Sequence, residues 1–251
     1  MRFEGKVLFA TGGGSGLAAA TARRYTAEGG RVAIVDLNLE RAQAVAGELE
    51  GAVAIACDVS DEEQVKAAVA EARERLGRID SVFNAAGHVV FGPIEDYPLA
   101  EWNRTLAVHV TGTFLVCQKV LPALREAGGG AIVNVASVAA LVGRSQLGAY
   151  SAAKGAIIGF SRQLAVDLAP DNIRVNVVAP GSVRTAMTEP VWLARGGGDF
   201  EKGTAATAKE ALLKRVGEPE EIAAPVCFLL SDEASFFTGS MLVPDGGMTA
   251  I

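Results

Sequence analysis

Short runs of apolar, often β-branched residues alternate along the chain with longer segments of helical periodicity. The runs predict strands over residues 6–11, 31–36, 53–58, 79–84, 131–137, 173–178 and 241–243. The segments between them predict helices over residues 15–28, 39–48, 61–76, 99–125, 149–168 and 219–230. This alternation is typical of repeated βαβ units around a parallel sheet. Several strands are apolar almost throughout, as expected where helices cover both faces, so we predict a doubly wound α/β fold.

No repeat, low-complexity tract or linker divides this pattern, and we predict one domain over residues 1–251. A length of 251 residues suits a single large α/β domain. The regular pattern is lost at residues 182–214, where three consecutive glycines, scattered threonines and charges replace the apolar periodicity. Loops of that length inside a domain are usually functional or disordered, and we interpret this one as a lid over the substrate site.

Charge and cysteine content exclude several classes of protein. Asp and Glu number 29 against 23 Lys and Arg, for a net charge of −6, whereas nucleic-acid and anionic-membrane partners require clustered cations. Cys57, Cys117 and Cys227 lie far apart inside apolar runs and form neither a disulfide framework nor a metal ribbon. His88 and His109 have no partners at metal-ligand spacing. No signal peptide or uninterrupted apolar run of about 18 residues occurs, so we expect a cytoplasmic protein without a metal or a membrane anchor.

The first predicted strand runs into a glycine-rich turn, Thr11-Gly12-Gly13-Gly14-Ser15-Gly16-Leu17-Ala18. Such a turn exposes backbone N–H groups at a helix N-terminus, where they and the helix dipole bind a pyrophosphate. The spacing G-x-x-x-G-x-G fits Gly12 and Gly16, with Ala18 in the third place. A merely flexible turn would contain the same glycines, so a second signal is needed to favour a dinucleotide site.

Asp36 supplies that second signal. It ends the second predicted strand, 20 residues beyond Gly16. A carboxylate there accepts hydrogen bonds from the adenosine ribose hydroxyls and repels a 2′-phosphate. Neither Ser15 nor Leu37 supplies a cation for that phosphate. We therefore predict NAD rather than NADP, while the absence of a G-x-x-x-x-G-K-[ST] loop and of a nucleophile elbow excludes kinases and esterases.

Tyr150 and Lys154 open the helix that follows the strand ending in Ser137. Because they are four residues apart, they share one face of that helix. A tyrosine titrates near about 10, but an adjacent ammonium and a cationic nicotinamide both stabilise the phenolate. The pair therefore predicts a usable general base near neutral pH.

In this order, the motifs resemble those of the classical short-chain dehydrogenase/reductase family over essentially the whole chain. They are the turn at residues 11–18, Asn84-Ala85-Ala86-Gly87, Ser137 thirteen residues before Tyr150-x-x-x-Lys154, Pro180-Gly181 with Thr185, and Asp245-Gly246-Gly247. Each motif alone is weak, whereas the ordered series is highly specific. The resemblance implies one Rossmann-like domain with seven parallel strands, hydride transfer to or from a nicotinamide, and a homotetramer or homodimer.

The same resemblance implies roles for individual residues. Tyr150 would transfer the hydroxyl proton, Ser137 would donate a hydrogen bond to the developing oxyanion, and Lys154 would bind the nicotinamide ribose and lower the pKa of Tyr150. The residues expected to bind the cofactor are Gly12, Gly14, Ser15, Gly16, Leu17, Asp36, Leu37, Asp58, Val59, Asn84, Ala85, Ala86, Gly87, Tyr150, Lys154, Pro180, Gly181, Val183 and Thr185.

One position departs from the family pattern. The fourth helix of the family carries a catalytic asparagine in a V-N-x-x-G-like segment, and Val108-His109-Val110-Thr111-Gly112 places His109 there. In the family that asparagine holds a helix kink and a water that passes protons to the lysine. Three roles for His109 stay open: a proton relay with its own titration near about 6.5, a residue that fills space, or an impairment of catalysis.

The residues expected around the substrate are mostly apolar: His88, Val89, Val138, Ala139, Gln146, Leu147, Met187 and Trp192. They favour a moderately hydrophobic secondary alcohol or ketone over an anionic acid. We predict an NAD-dependent oxidoreductase acting on a secondary alcohol, polyol or hydroxysteroid-like substrate. The alternatives are a 3-oxoacyl-carrier-protein-type reductase, whose usual NADPH preference conflicts with Asp36, and a dinucleotide-responsive sensor with weak turnover, which only His109 supports.

Overall fold

The computed structural model describes residues 1–250. Its strands are β1 (Val7–Thr11), β2 (Arg31–Asp36), β3 (Val53–Ala56), β4 (Ser81–Asn84), β5 (Gly130–Val135), β6 (Ile173–Val178) and β7 (Met241–Leu242). Its α-helices are α1 (Gly16–Ala27), α2 (Leu39–Gly47), α3 (Glu62–Leu76), α4 (Leu99–Leu106), α5 (Gly112–Glu126), α6 (Gly148–Leu168), α7 (Glu189–Arg195), α8 (Phe200–Ala208) and α9 (Pro219–Leu230).

The seven strands pair in parallel in the order β3-β2-β1-β4-β5-β6-β7. From β1 the chain builds outward to β3 on one side, and then from β4 to β7 on the other. Such a reversal of strand order leaves a crevice beyond the carboxyl ends of the central strands. The predicted doubly wound α/β fold is confirmed, and its crevice lies between β1 and β4.

Helices cover both faces of the sheet, as the apolar strands predicted. Phe9 of β1 is buried with Val65 of α3 and Val116 of α5, whereas the preceding residue, Leu8, is buried with Tyr25 of α1 on the other face. Successive strand residues point to opposite faces, so each central strand contributes to both apolar layers. This double burial makes the sheet a rigid base for the loops at its carboxyl edge.

Local capping sets the ends of α3. The Asp61 carboxylate accepts hydrogen bonds from the backbone N–H groups of Glu63 and Gln64 at 3.0 and 3.1 Å. Gly77 ends the helix with a φ of 83°, in the left-handed region that favours glycine. These caps satisfy backbone groups that a helix leaves unpaired at its ends, and they confirm the sequence-predicted boundaries to within one residue.

The helix predicted over residues 99–125 is not regular. A π-helical turn, Ala107–Thr111, joins α4 to α5 and contains His109. The Thr113 hydroxyl donates a hydrogen bond to the His109 carbonyl at 2.7 Å, which satisfies an acceptor inside the turn. The combined segment Leu99–Glu126 has the length and apolar composition of a membrane span, although no uninterrupted apolar run is that long. In the fold, α5 of this segment packs against α3 and α4 packs against α6.

The interpretation of residues 182–214 as a long loop is wrong in part, because α7 and α8 occupy much of it. The two helices pack on each other, and Trp192 of α7 is buried with its ring 6.0 Å from that of Phe200. Asp199 caps α8 by accepting a hydrogen bond from the Lys202 N–H at 3.0 Å. The three glycines that obscured the pattern, at positions 196–198, form the link between these helices.

Candidate active site

The turn between β1 and α1 allows two other loops to approach it closely. Gly12 and Gly16 have φ values of 65° and 54°, which favour glycine. A Cβ atom at Gly12 would lie 2.9 Å from the Ala86 Cα, and one at Gly16 would lie 3.3 Å from the Thr185 Cγ2. The absence of side chains therefore lets the loops after β4 and β6 close around the N-terminus of α1.

A cavity of about 360 Å³ extends from this turn to Tyr150, and we call it the cofactor cavity. Most of the predicted cofactor residues line it: Gly12, Ser15, Gly16, Leu17, Asp36, Leu37, Ala85, Gly87, Tyr150, Lys154, Pro180, Gly181, Val183 and Thr185. Sequence reasoning missed Ala18, Asn38, Arg41, Val135, Ala136 and Thr188. Of these, Arg41 changes the electrostatics, because it brings a cation to the wall that also contains Asp36.

Two backbone hydrogen bonds fix the Asp36 carboxylate at the rim of this cavity. One oxygen accepts from the Gly14 N–H at 3.0 Å, and the other accepts from the Asn38 N–H at 2.9 Å. A Cβ atom at Gly14 would lie 2.8 Å from the Arg41 Cβ, so the glycine also permits the close approach of α2. Asp36 is thus a preorganised acceptor, and Arg41 lines the same cavity.

Five predicted cofactor residues lie outside the lining of the cofactor cavity: Gly14, Asp58, Val59, Asn84 and Ala86. Asn84 is buried and donates a hydrogen bond to the Asn134 Oδ1 at 2.9 Å, so its side chain belongs to the core beneath the cavity. Val59 is buried against Gly112 at the start of α5. Motif position alone does not reveal this inward orientation, because neighbouring residues of one loop face opposite sides.

Ser137, Tyr150 and Lys154 lie together at the end of the cofactor cavity. The sequence predicted that Ser137 ends strand β5. In the structure β5 ends at Val135, and Ser137 instead caps the start of the 3-10 turn Val138–Ala140. Its Oγ accepts a hydrogen bond from the Ala139 N–H at 3.1 Å. Lys154 is buried, and its Nζ lies 5.5 Å from the centroid of the Tyr150 ring. The spacing of four residues has the predicted consequence of placing ammonium and phenol side by side.

Burial changes the acidity of this pair in opposite directions. It lowers the pKa of Lys154 to about 7, although the Nζ donates a hydrogen bond to the Val135 carbonyl at 2.8 Å. It raises the pKa of Tyr150 above its ordinary value, and a hydrogen bond with Ser137 only partly opposes that effect. The chain alone therefore does not produce the lowered tyrosine pKa expected from the sequence.

His109 lies beside Tyr150 in the wall of the cofactor cavity. Its ring is 5.4 Å from that of Tyr150 and perpendicular to it, and its Nε2 lies 2.8 Å from the His88 carbonyl oxygen. A Cβ atom at Gly87 would lie 2.3 Å from its Cε1, so the glycine makes room for the imidazole. Burial, reinforced by the charge of Lys154, lowers the pKa of His109 to about 2. The ring is therefore neutral near pH 7, which argues against a relay that titrates near 6.5, one of the three roles left open by the sequence.

A second cavity of about 360 Å³ adjoins the first, and we call it the substrate cavity. Ser137 and Tyr150 line both cavities. The predicted substrate residues Val89, Val138, Ala139, Leu147, Met187 and Trp192 line the substrate cavity, whereas His88 and Gln146 do not. His88 is held against His109 through its backbone, and Gln146 is exposed with a left-handed φ of 62°.

Sequence reasoning also missed several residues of the substrate cavity. The apolar ones are Phe91 and Val191, and the polar ones are Arg144, Ser145, Ser182, Thr188, Arg195, Thr207 and Glu210. Arg144, Arg195 and Glu210 are charged, so the expectation of a mainly apolar site is incomplete. Arg195 and Glu210 come from the segment in which the sequence pattern was lost, and Arg144 lies in the loop before α6.

Comparison with known proteins places the chain among dehydrogenases and reductases. A family model described as enoyl-(acyl carrier protein) reductase matches residues 12–249. D-threitol dehydrogenase of Mycolicibacterium smegmatis is 42% identical, with 99% of this chain and 94% of that protein covered. Meso-2,3-butanediol dehydrogenase of Serratia marcescens is 39% identical, with 100% and 97% covered. The crystal structure of levodione reductase superposes with a TM-score of 0.94 at 39% identity, with 99% of each chain covered.

Proposed function

The chain belongs to the classical short-chain dehydrogenase/reductase family, and we propose that it interconverts a secondary alcohol or polyol and the corresponding ketone with NAD as its cofactor. One observation carries this proposal. Ser137 and Tyr150 stand where the cofactor cavity meets the substrate cavity, with Lys154 buried beside Tyr150. Residues at that junction can contact a substrate carbinol on one side and a nicotinamide ring on the other.

The cofactor cavity fits a nicotinamide dinucleotide by its shape and its donors. The side-chain-free turn at Gly12 and Gly16 offers backbone N–H groups at the N-terminus of α1 to a pyrophosphate. Asp36 offers acceptors for the adenosine ribose hydroxyls, and Lys154 offers a cation at the nicotinamide end. When bound, the oxidised cofactor would supply a hydride-accepting ring and a positive charge.

The roles of the chain's own residues follow from their contacts. In alcohol oxidation, Tyr150 would take the hydroxyl proton of the substrate, and in ketone reduction it would return a proton to the oxygen. Ser137 would donate a hydrogen bond to the same oxygen, where negative charge develops. Lys154, with a pKa near 7, would supply a positive charge that favours the deprotonated tyrosine as long as its own amine is protonated.

A neutral His109 cannot act as a protonated group near pH 7, so we propose that it orders the site through hydrogen bonds. Nε2 lies 2.8 Å from the His88 carbonyl oxygen and 3.2 Å from the His88 nitrogen; if Nε2 carries the proton, it donates to the nearer carbonyl, and the buried Nδ1 is left as an acceptor without a partner among residues 1–250. An unpaired buried acceptor is costly unless water reaches it. We propose that Nδ1 binds a water of the proton path, in place of the family's asparagine.

The proposed choice of NAD rests on the fixed Asp36 carboxylate, which would face a 2′-phosphate with like charge. Arg41 in the same wall weakens the discrimination without removing it, because no ion pair within 4.0 Å links the two side chains. We further propose a homotetramer or homodimer, supported by Phe114 of α5 and Val166 of α6, which are exposed on neighbouring helices. A cytoplasmic location is supported by the three free, buried cysteines.

The first test is NADH formation from NAD with secondary alcohols, polyols and hydroxysteroids. Turnover that is abolished by Tyr150→Phe and retained by Tyr97→Phe supports the proposal. Tyr97 is a suitable control because it lies outside both cavities and its hydroxyl makes one long hydrogen bond, 3.4 Å, to the Val90 carbonyl. NADH binding without Tyr150-dependent turnover of any substrate would overturn the proposal and favour a sensor. Light scattering after size-exclusion chromatography measures the molar mass in solution and tests the proposed oligomeric state separately.

A further inference from the structure

Two guanidinium groups share one carboxylate in the wall of the substrate cavity. The Arg144 Nη1 lies 2.6 Å from one oxygen of Glu210, and the Arg195 Nη2 lies 2.5 Å from the other. Among the described residues that line this cavity, these three are the charged ones. The wall therefore holds two positive charges and one negative charge, an excess of one cation. We call these three residues the arginine cluster.

The cluster has hydrogen-bond donors in excess of strong acceptors. The second amino group of Arg144 contacts the thioether of Met248, which is a weak acceptor. The Nη1 of Arg195 reaches only the Thr207 hydroxyl, at 3.4 Å. Each guanidinium has five N–H donors, and the carboxylate of Glu210 occupies one amino group of each arginine. Donors thus remain for an acceptor that enters the cavity.

Glu210 is ionised and is the internal competitor for these donors. Burial raises the pKa of its carboxyl, but the hydrogen bonds and charges of Arg195 and Arg144 outweigh that effect and lower it overall. The side chains of Arg144 and Glu210 are about three-quarters buried, at 25% and 26% exposure, whereas that of Arg195 is 43% exposed, so water screens the Arg144 side of the cluster less than the Arg195 side. A partly desolvated guanidinium with unpaired donors is a strong site for an oxyanion.

We propose that the arginine cluster binds a carboxylate of the substrate, so that the enzyme acts on hydroxy acids and oxo acids whose carboxylate is joined through a carbon chain or ring to the reacting carbinol. The inference rests on the proposed function, because it places the reacting carbon at Tyr150 and Ser137. Val138, Leu147 and Trp192 in the same cavity would contact the carbon skeleton between the two ends. This proposal differs from the sequence-based expectation, which favoured an uncharged substrate because most of the predicted substrate residues are apolar.

A purely structural role is the competing explanation. Arg144 precedes α6, Arg195 ends α7 and Glu210 follows α8, so the cluster also ties three segments around the cavity. The two roles give different results for Glu210→Gln. Removal of the internal carboxylate leaves both guanidinium groups without a counter-charge, which strengthens binding of an external one. If the cluster only holds these segments together, Glu210→Gln would weaken their contacts and would lower kcat/KM for charged and uncharged substrates alike.

The experiment compares oxo acids with ketones of equal length in NADH-dependent reduction. The pairs are 4-oxopentanoate with 2-pentanone, 5-oxohexanoate with 2-hexanone, and 4-oxocyclohexanecarboxylate with 4-methylcyclohexanone. The measured quantity is the ratio of kcat/KM for the acid to kcat/KM for its ketone. Because hydrogen bonds between charged groups are the strong ones, we expect a ratio of about ten or more for at least one pair. The pair with the largest ratio measures the span from Tyr150 to the cluster.

Variants of the arginine cluster test whether the preference for the acid over its ketone depends on these residues. Arg195→Gln should lower the ratio about tenfold, and Glu210→Gln should raise it. Arg162→Gln, on the exposed side of α6, is the charge-matched control and should leave it unchanged. The inference is overturned if no acid exceeds its ketone, or if Glu210→Gln lowers acid and ketone rates by the same factor.

Failure of the proposed function has a different signature, which is the absence of Tyr150-dependent reduction of any compound. In that case, calorimetric titration of the NADH complex with 5-oxohexanoate still decides the inference. Binding that weakens in Arg195→Gln and strengthens in Glu210→Gln supports the cluster as an anion site. Equal binding by these variants and the unaltered protein refutes it.

Discussion

Replacement of Asp36 by Asn should change the cofactor preference from NAD toward NADP. The amide oxygen of Asn can still accept a hydrogen bond from the Gly14 N–H, which lies 3.0 Å from Asp36, whereas the bond from the Asn38 N–H is lost together with the negative charge. Arg41, in the wall of the same cavity, is then the dominant charge near the position of a 2′-phosphate. The substitution thus removes a repulsion and uncovers an attraction.

The magnitude follows from charge and exposure. Two unit charges about 4 Å apart interact by about 1 kcal/mol in water and by about 4 kcal/mol near a protein surface. Asp36 is partly exposed at the cavity rim, and an intermediate repulsion of about 2 kcal/mol corresponds to roughly 30-fold in NADP affinity. Loss of charge-assisted hydrogen bonds to the ribose should weaken NAD binding by about 1 kcal/mol, or roughly fivefold. Together these two effects shift the ratio of the NADP affinity to the NAD affinity on the order of 100-fold.

The assay is the ratio of kcat/KM for NADP to that for NAD with one saturating alcohol, supported by fluorescence titrations of the two reduced cofactors. Arg41→Ala in the Asp36→Asn background should reverse about three- to tenfold of the gain, because it removes the remaining cation. Asp167→Asn, an exposed aspartate on α6, is the matched control. A ratio that moves less than threefold in Asp36→Asn would refute the assigned role of Asp36.

Three further predictions concern the rest of the site. His109→Asn should retain most activity and His109→Ala should lose about tenfold or more in kcat, with no new titration near pH 6.5; equal rates for both variants would leave His109 only a space-filling role. Lys154→Met should raise the free energy of unfolding by up to about 4 kcal/mol at pH 7, measured with urea. Burial depresses the pKa of Lys154 to about 7, so the unfolded chain binds the extra proton between pH 7 and the ordinary lysine pKa. The folded protein therefore gains stability as pH rises through that window, and the difference in free energy of unfolding between Lys154→Met and the unaltered protein should shrink to about 1 kcal/mol or less near pH 10. A difference that does not depend on pH contradicts this account. Gly16→Val should weaken NADH binding, because its φ is 54° and the new Cβ would lie 3.3 Å from Thr185, whereas Gly155→Ala, with open space around it, should not.

Much of the fold could be read from the chain because local signals and burial agree. Strands β2 and β6 and helix α9 occupy the ranges that apolar periodicity and capping predict. The interruption at Ala107–Thr111 was not visible, because a π-helical turn has the same composition as the α-helix around it. Helices α7 and α8 were missed because Gly196, Gly197 and Gly198 mask two short helices whose contacts are chiefly with each other.

The sequence by itself determined the doubly wound sheet, the glycine turn with Asp36, and the Tyr150 and Lys154 pair, since each depends on spacing within one strand, turn or helix. Only the tertiary structure decided which neighbours face the cavities, because orientation depends on packing between distant segments. It turned Asn84 into the core, brought Arg41 to the cofactor wall, and depressed the pKa of His109 to about 2 by burial. Arg144, Arg195 and Glu210 meet across up to 66 residues of chain, a distance at which periodicity and motif spacing carry no information.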